Sequence, residues 1–314
     1  MPSVGPGQRR IAAATGVALL LLTGLSACGG DKRATSAQPD TTAPEPQPVT
    51  VATPADVAGT SPSSAATPPS TAAGTATTAV GGPTNTLFPL TPGFQSVRQG
   101  FVNKGSRRLA HRLVFTVTDV SKEIDGVRTV AAVDQDFDGG ELAEQSLDFF
   151  ALDAKGNVLY LGSYTETYEG GQFVNATDAW LGGVKGAKAG MLLPAAPAAG
   201  SPSFTQAVVP GEGTATAKVV KTGQRKCVPY RCFDDAVILE EDGSEHKYFA
   251  PGVGGFLTEP LSGDPQETEE LINVTQLTPQ GLAEISNEAV KLDQHARTVA
   301  KDVFGPSSPA KRPS

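Results

Sequence analysis

Apolar and polar positions alternate along most of the second two-thirds of the chain. Residues 113–119 (Leu-Val-Phe-Thr-Val-Thr-Asp) follow a period of two, and residues 127–133 are rich in β-branched side chains, so both predict strands. Similar patterns predict strands at 142–152, 157–164, 215–221, 233–241, 245–250 and 269–276. Turn residues separate them: Asp125-Gly126, Gly139-Gly140, Gly156-Asn157, Gly170-Gly171 and Asp242-Gly243 stand where hairpins need positive φ. The expected fold is mainly β, an antiparallel meander forming a half-barrel or a sandwich, with one amphipathic helix at the C-terminal end. That helix is expected over 279–304. Thr278 supplies an N-cap, Pro279 the first helical position, and Leu282, Ile285, Ala289, Leu292, Ala296, Val299 and Val303 form one stripe before Gly305-Pro306. The stripe suits packing across the domain's own sheet; a self-associating coiled coil with two alanines in its seam would be weak.

The N-terminus follows a different pattern. Residues 1–10 hold no acid and end in Arg9-Arg10, and residues 11–22 are an apolar run. That run is shorter than the roughly 20 residues a permanent membrane helix needs. A charged start, a short apolar stretch and small residues predict an export signal over 1–27. Arg9-Arg10 leaves the general secretory and twin-arginine routes both open. Leu25-Ser26-Ala27-Cys28 resembles the lipobox of bacterial lipoproteins. The resemblance implies cleavage before Cys28, lipidation of its thiol, and attachment to the outer face of the cell membrane.

Composition sets the organisation. From 28 to 92 the chain is mostly Ala, Thr, Pro, Ser and Gly, with no aromatic residue before Phe88. Such a segment buries too little apolar surface to offset its ordering entropy and reads as a disordered stalk. A globular domain is expected over 93–304 and a loose Pro- and Ser-rich tail over 305–314. The formal net charge of −8 argues against a nucleic-acid partner. The expected partners are the membrane, through the lipid, and an envelope ligand or protein; the domain is expected to be a monomer.

Several blocks resemble an uncharacterised family of bacterial, largely actinobacterial, secreted proteins and lipoproteins. They are Leu87-Phe-Pro-Leu-Thr-Pro-Gly93, residues 123–129 and 155–162, Gly186-Ala-Lys-Ala-Gly190 followed by Pro194, and residues 245–254. The resemblance implies a mostly antiparallel β architecture and brings no established activity. Phe149, Phe150, Leu152 and Ser163 depart from the family's aromatic and acidic pattern.

Candidate chemistry is sparse. Cys227 and Cys232 flank Val-Pro-Tyr-Arg and are expected to form a disulfide outside the cytoplasm; a zinc site would need two further ligands. Asp134, Asp136 and Asp138, followed by Gly139, match the start of a calcium loop, although Gln145 stands where a bidentate Glu belongs. Calcium is the one cofactor this suggests, and a hairpin of solvated acids explains the same letters. Tyr160, Tyr164, Trp180, His246 and Tyr248 are candidates for a ligand cleft shared by strands 157–164 and 245–250. Alternation puts His246 and Tyr248 on one face and Glu245 and Lys247 on the other, and the first pair is expected to face inward. No catalytic motif is present, so the leading reading is a tethered binding or scaffold module. An enzyme of hydrolase type centred on His246, or a calcium-stabilised adhesive domain, are the alternatives.

Overall fold

The computed structural model describes residues 84–313. The export signal, Cys28 and the stalk up to residue 83 lie outside the described residues. Thirteen strands follow in order: β1 (Phe94–Lys104), β2 (Arg107–Ile124), β3 (Val127–Asp138), β4 (Glu141–Leu152), β5 (Val158–Glu169), β6 (Gln172–Leu181), β7 (Lys188–Leu193), β8 (Phe204–Val209), β9 (Gly213–Cys227), β10 (Cys232–Glu241), β11 (Glu245–Ala250), β12 (Gly254–Pro260) and β13 (Glu269–Gln276). Helices α1 (Pro279–Val299) and α2 (Lys301–Phe304) follow.

Every ladder is antiparallel, and β1 pairs with both β2 and β13, so the last strand returns to the first. β4 pairs with β5 along its length, and β5 pairs with β7 through 158–160 and with β6 through 162–169. The meander therefore closes into a 12-strand barrel, with β6 alongside the far half of β5. This corrects the expectation of a half-barrel or sandwich. Closure leaves no row of unpaired backbone groups at those edges, a demand that the period-two pattern of single strands does not record. The turns follow the sequence signals: Asp125 and Gly126 have φ of 49° and 73°, the left-handed pair of a two-residue hairpin.

Three apolar clusters result. Inside one end of the barrel, Phe88, Phe115, Phe150, Tyr160 and Trp180 pack edge-to-face or stacked, with Leu113, Leu193, Leu239 and Phe249 around them. On the outer face, Val133, Leu147, Phe149, Leu161 and Tyr164 meet Ala289, Leu292 and Ala296 of α1 and Phe304 of α2. A second outer cluster holds Phe233, Ile238, Tyr248 and Phe256. α1 packs on its own barrel through Ile285, Ala289, Leu292 and Ala296 of the expected stripe, while Val299 of that stripe is exposed and Ser286 and Asp293 are buried beside it. Thr278 Oγ1 accepts from Gly281 N at 3.2 Å, with Pro279 starting the helix, and Ala300 interrupts it before α2. No helix among the described residues is long and apolar enough to cross a membrane.

Both ends of the domain extend beyond the expected limits. Residues 84–92, assigned above to the stalk, are packed: Leu87 and Phe88 are buried, and the buried Asn85 side chain donates to Gly156 O at 3.1 Å. Residues 305–313, expected to be loose, are pinned. Lys311 and Ser121 exchange backbone hydrogen bonds, Ala310 is buried, and Arg312 grips Asp119. Composition hid these contacts because their partners, such as Gly156 for Asn85 and Asp119 for Arg312, lie far away in sequence.

An acidic chamber as candidate functional site

The alternation that makes β3 a strand puts Ala132, Asp134, Asp136 and Asp138 on its inner face and Ala131 and Val133 beneath α1. Antiparallel register carries the division around the barrel. Asp136 stands opposite Glu144 of β4, Ala132 opposite Asp148, and Asp148 opposite Ser163 of β5. From the other side come Arg98 of β1, His111 of β2, Glu241 of β10, Lys247 of β11, Glu267 just before β13 and Glu269 at its first position. The barrel interior thus has an apolar end, stoppered by Leu87 and Phe88, and an acidic end.

The few cations there are each held by acids. Arg98 Nη1 lies 3.0 Å from Glu269 Oε2, and Nη2 lies 3.9 Å from Asp134. His111 Nδ1 is 2.8 Å from Asp138 and its Nε2 is 3.2 Å from Glu267 Oε1; Lys104 Nζ reaches Asp138 at 2.6 Å. Lys247 lies 2.9 Å from Glu241 and 3.4 Å from Glu245, and Gln206 Nε2 donates to Glu241 at 3.0 Å. Tyr160 Oη donates to Asp148 at 2.7 Å. These pairings do not exhaust the acids. Asp136 Oδ1 and Glu269 Oε1 are buried without a hydrogen-bond partner among the described residues.

Crowded buried carboxylates resist ionisation. Burial pushes Asp134 up to about 7, Glu144 to about 8 and Asp148 to about 6, with neighbouring acids adding to the first two shifts. Glu267 rises to about 7 for the same first reason. Asp136 and Asp178 lie well above the ordinary carboxylate range. Burial alone would lower His111, yet its contacts with Asp138 and Glu267 prevail and raise it to about 11. Lys247 is raised too, its burial outweighed by Glu241 and Glu245. Acids outnumber cations in the chamber, and burial favours the protonated form of several of them.

The sequence candidates are scattered by this architecture. Asp134, Asp136 and Asp138 do not form a calcium loop. They belong to a strand whose same-face residues are spaced by roughly 6.7 Å, too far apart to wrap one ion as a loop does. Tyr160 and Trp180 face the apolar end of the interior, whereas Tyr164 lies outside beneath the helices, 3.5 Å from His295. His246 and Tyr248 point outward, and Glu245 and Lys247 point inward, the reverse of the expectation. His246 stands 4.0 Å from Glu240, while Tyr248 donates to Glu259 at 2.6 Å. The five residues therefore share no cleft. Cys227 and Cys232 are joined in a disulfide at the β9–β10 hairpin. Sequence reading missed Arg98, His111, Glu267 and Glu269. Their only signal was acids and bases at alternate strand positions, as in Glu267-Thr268-Glu269.

No protein-family model matches the chain, and no curated protein matches it. The resemblance to a secreted family therefore stays an expectation, and nothing supports its actinobacterial part. Among solved structures, a presumptive lipoprotein from Parabacteroides distasonis aligns at 13% identity, covering 61% of this chain and 99% of its own, with a TM-score of 0.32. At that similarity neither fold nor function transfers.

Proposed function

We propose that this protein is a lipid-anchored extracytoplasmic binding module whose barrel takes up a cationic ligand at its acidic end. The anchor rests on Leu25-Ser26-Ala27-Cys28. The binding role rests on one observation: the buried oxygens Asp136 Oδ1 and Glu269 Oε1 have no hydrogen-bond partner among the described residues apart from the Glu267 carboxyl beside Glu269. A purely structural interior pairs such groups, because an unpaired buried acceptor costs about 1–3 kcal/mol. The described chain enters at the apolar end, beside Gly156 and Pro194, so the acidic end lies at the opposite pole from residue 84.

Two measurements test this. Metabolic labelling with a fatty acid is expected to mark the native chain and not Cys28→Ala; labelling of the variant removes the anchor. Thermal melting of the full chain in detergent at pH 8, with Ca²⁺, Zn²⁺ or spermidine added singly, is expected to rise with at least one. Indifference to all three removes the cation-binding role.

A further inference from the structure

We infer that His111, Glu267 and Glu269 form a binding site for a divalent transition-metal ion, with Asp138 as the residue that positions the imidazole. The inference rests on the proposed cation-binding role and names the ion class and the ligands.

The geometry carries it. One ligand atom from each of the three side chains lies within 4.8 Å of the other two, and His111 Nε2 is already 3.2 Å from Glu267 Oε1. Ligands at 2.0–2.2 Å around a tetrahedral zinc sit about 3.4 Å apart, so the groups close on an ion by shifts of side-chain ends. The tautomer is prepared as well. Asp138 Oδ1 accepts from His111 Nδ1 at 2.8 Å and is itself held by Lys104 at 2.6 Å. The proton therefore resides on Nδ1 when the ring is neutral, and the Nε2 lone pair faces the two glutamates. A carboxylate behind a ligating histidine is the usual outer-shell arrangement of metal sites.

Glu269 supplies the independent sign of a ligand. It is 1% exposed; Arg98 pairs with its Oε2, while Oε1 is buried with no partner among the described residues except the Glu267 carboxyl, the other proposed ligand. The backbone is arranged to bring these residues together. His111 stands opposite Gly100 of β1, where an added Cβ would lie 2.0 Å from Thr268 O. Gly100 thus lets the 266–268 segment lie against β1, where Thr268 N donates to Phe101 O at 2.9 Å and Asn103 N to Gln266 O at 2.7 Å. Glu267 and Glu269 flank that contact, and Glu267 keeps 15% side-chain exposure as a way in.

One imidazole nitrogen and two carboxylates favour Zn²⁺, Mn²⁺ or Co²⁺ over Ca²⁺, which prefers six to eight oxygens. The competitor for the site is a proton bridging His111 and Glu267, so metal affinity rises with pH and binding releases protons.

Calorimetry on the metal-stripped full chain at pH 8 is expected to show one Zn²⁺ bound. Asp138→Asn weakens it about 10- to 100-fold, His111→Gln and Glu269→Gln weaken it more, and His246→Gln, on the outer face of the barrel, leaves it within about twofold. Because His111→Gln could fail to fold, a second measurement uses the His246→Gln, His295→Gln double variant, whose one histidine is His111. Loaded with Co²⁺, it is expected to show one hyperfine-shifted imidazole in its proton NMR spectrum. Zinc binding undiminished in His111→Gln, or a Co²⁺ spectrum with no shifted imidazole, overturns the site. Calcium or spermidine binding without any transition-metal binding overturns it also, while leaving the cation-binding role standing. Binding of no cation overturns both.

Discussion

Beneath α1, Lys122 is buried with its charge fully answered. Its Nζ donates to Asp293 Oδ1 at 2.8 Å and to Ser308 O at 2.5 Å, and the Phe304 ring centroid lies 5.4 Å away. Asp293 Oδ2 accepts from Ala310 N at 2.9 Å, so the pair also clasps the C-terminal segment. Burial holds Lys122 below the ordinary lysine range, with Asp293 opposing that effect. The chamber on the other side of the same sheet buries charge differently. Acids outnumber cations, oxygens lack donors, and several carboxyls keep their protons at neutral pH. Equal burial therefore carries opposite meanings. A closed, one-to-one network fixes structure, and an unbalanced one marks a place where something can bind.

Four experiments would break or sharpen that contrast. Asp293→Ala strands the Lys122 charge and is expected to cost about 3–5 kcal/mol, read as a large fall in melting temperature and release of the C-terminal segment to protease. A cost near zero would mean that the pair is not a clasp.

The next effect is set by pH. A carboxyl whose folded pKa exceeds its unfolded value stabilises the fold fully below the unfolded pKa and loses that contribution as pH rises through the folded one. For Asp148, Asp134, Glu267 and Glu144 the loss runs from about pH 4 to between about 6 and 8. His111, raised from 6.5 to about 11, continues it upward in the same direction. The metal-free domain is expected to lose stability steadily between pH 5 and pH 9, read as a melting temperature that falls across the whole range. A flat profile would show that the chamber is hydrated and screened.

Glu144→Gln removes one excess acid. It is expected to stabilise by about 1–2 kcal/mol at pH 9, where the native carboxyl must ionise in a buried site, and to be neutral at pH 5. Destabilisation at pH 9 would place Glu144 in a closed network after all. The smallest effect is expected from Thr278→Ala, which deletes the α1 cap for about 1 kcal/mol and leaves zinc affinity unchanged. A matching drop in affinity would show the helix and the chamber to be coupled.

Strand positions, hairpin turns, the capped helix and the disulfide were legible because each depends on neighbours a few residues away. The acids of β3 show where legibility stopped. Asp134, Asp136 and Asp138 spell the start of an ion loop and equally one face of a strand, and only pairing with β2 and β4 selects the second. His246 and Tyr248 show the same limit in register. Alternation correctly separated them from Glu245 and Lys247, but it could not say which pair faced the interior. Asp293, in the middle of α1, read as an ordinary polar helix position until Lys122, 171 residues away in sequence, was packed against it.

By itself the sequence determined the local states: β or helix, turn or cap, tether or domain, since these follow from periodicity, backbone preference and composition over short windows. The tertiary structure alone decided that the sheet closes, which side of it is inside, and which charges meet there. Closure sets partners by distance through space: Gly100 and His111 already meet in the β1–β2 hairpin, and Glu269 joins them only when β13 returns to β1.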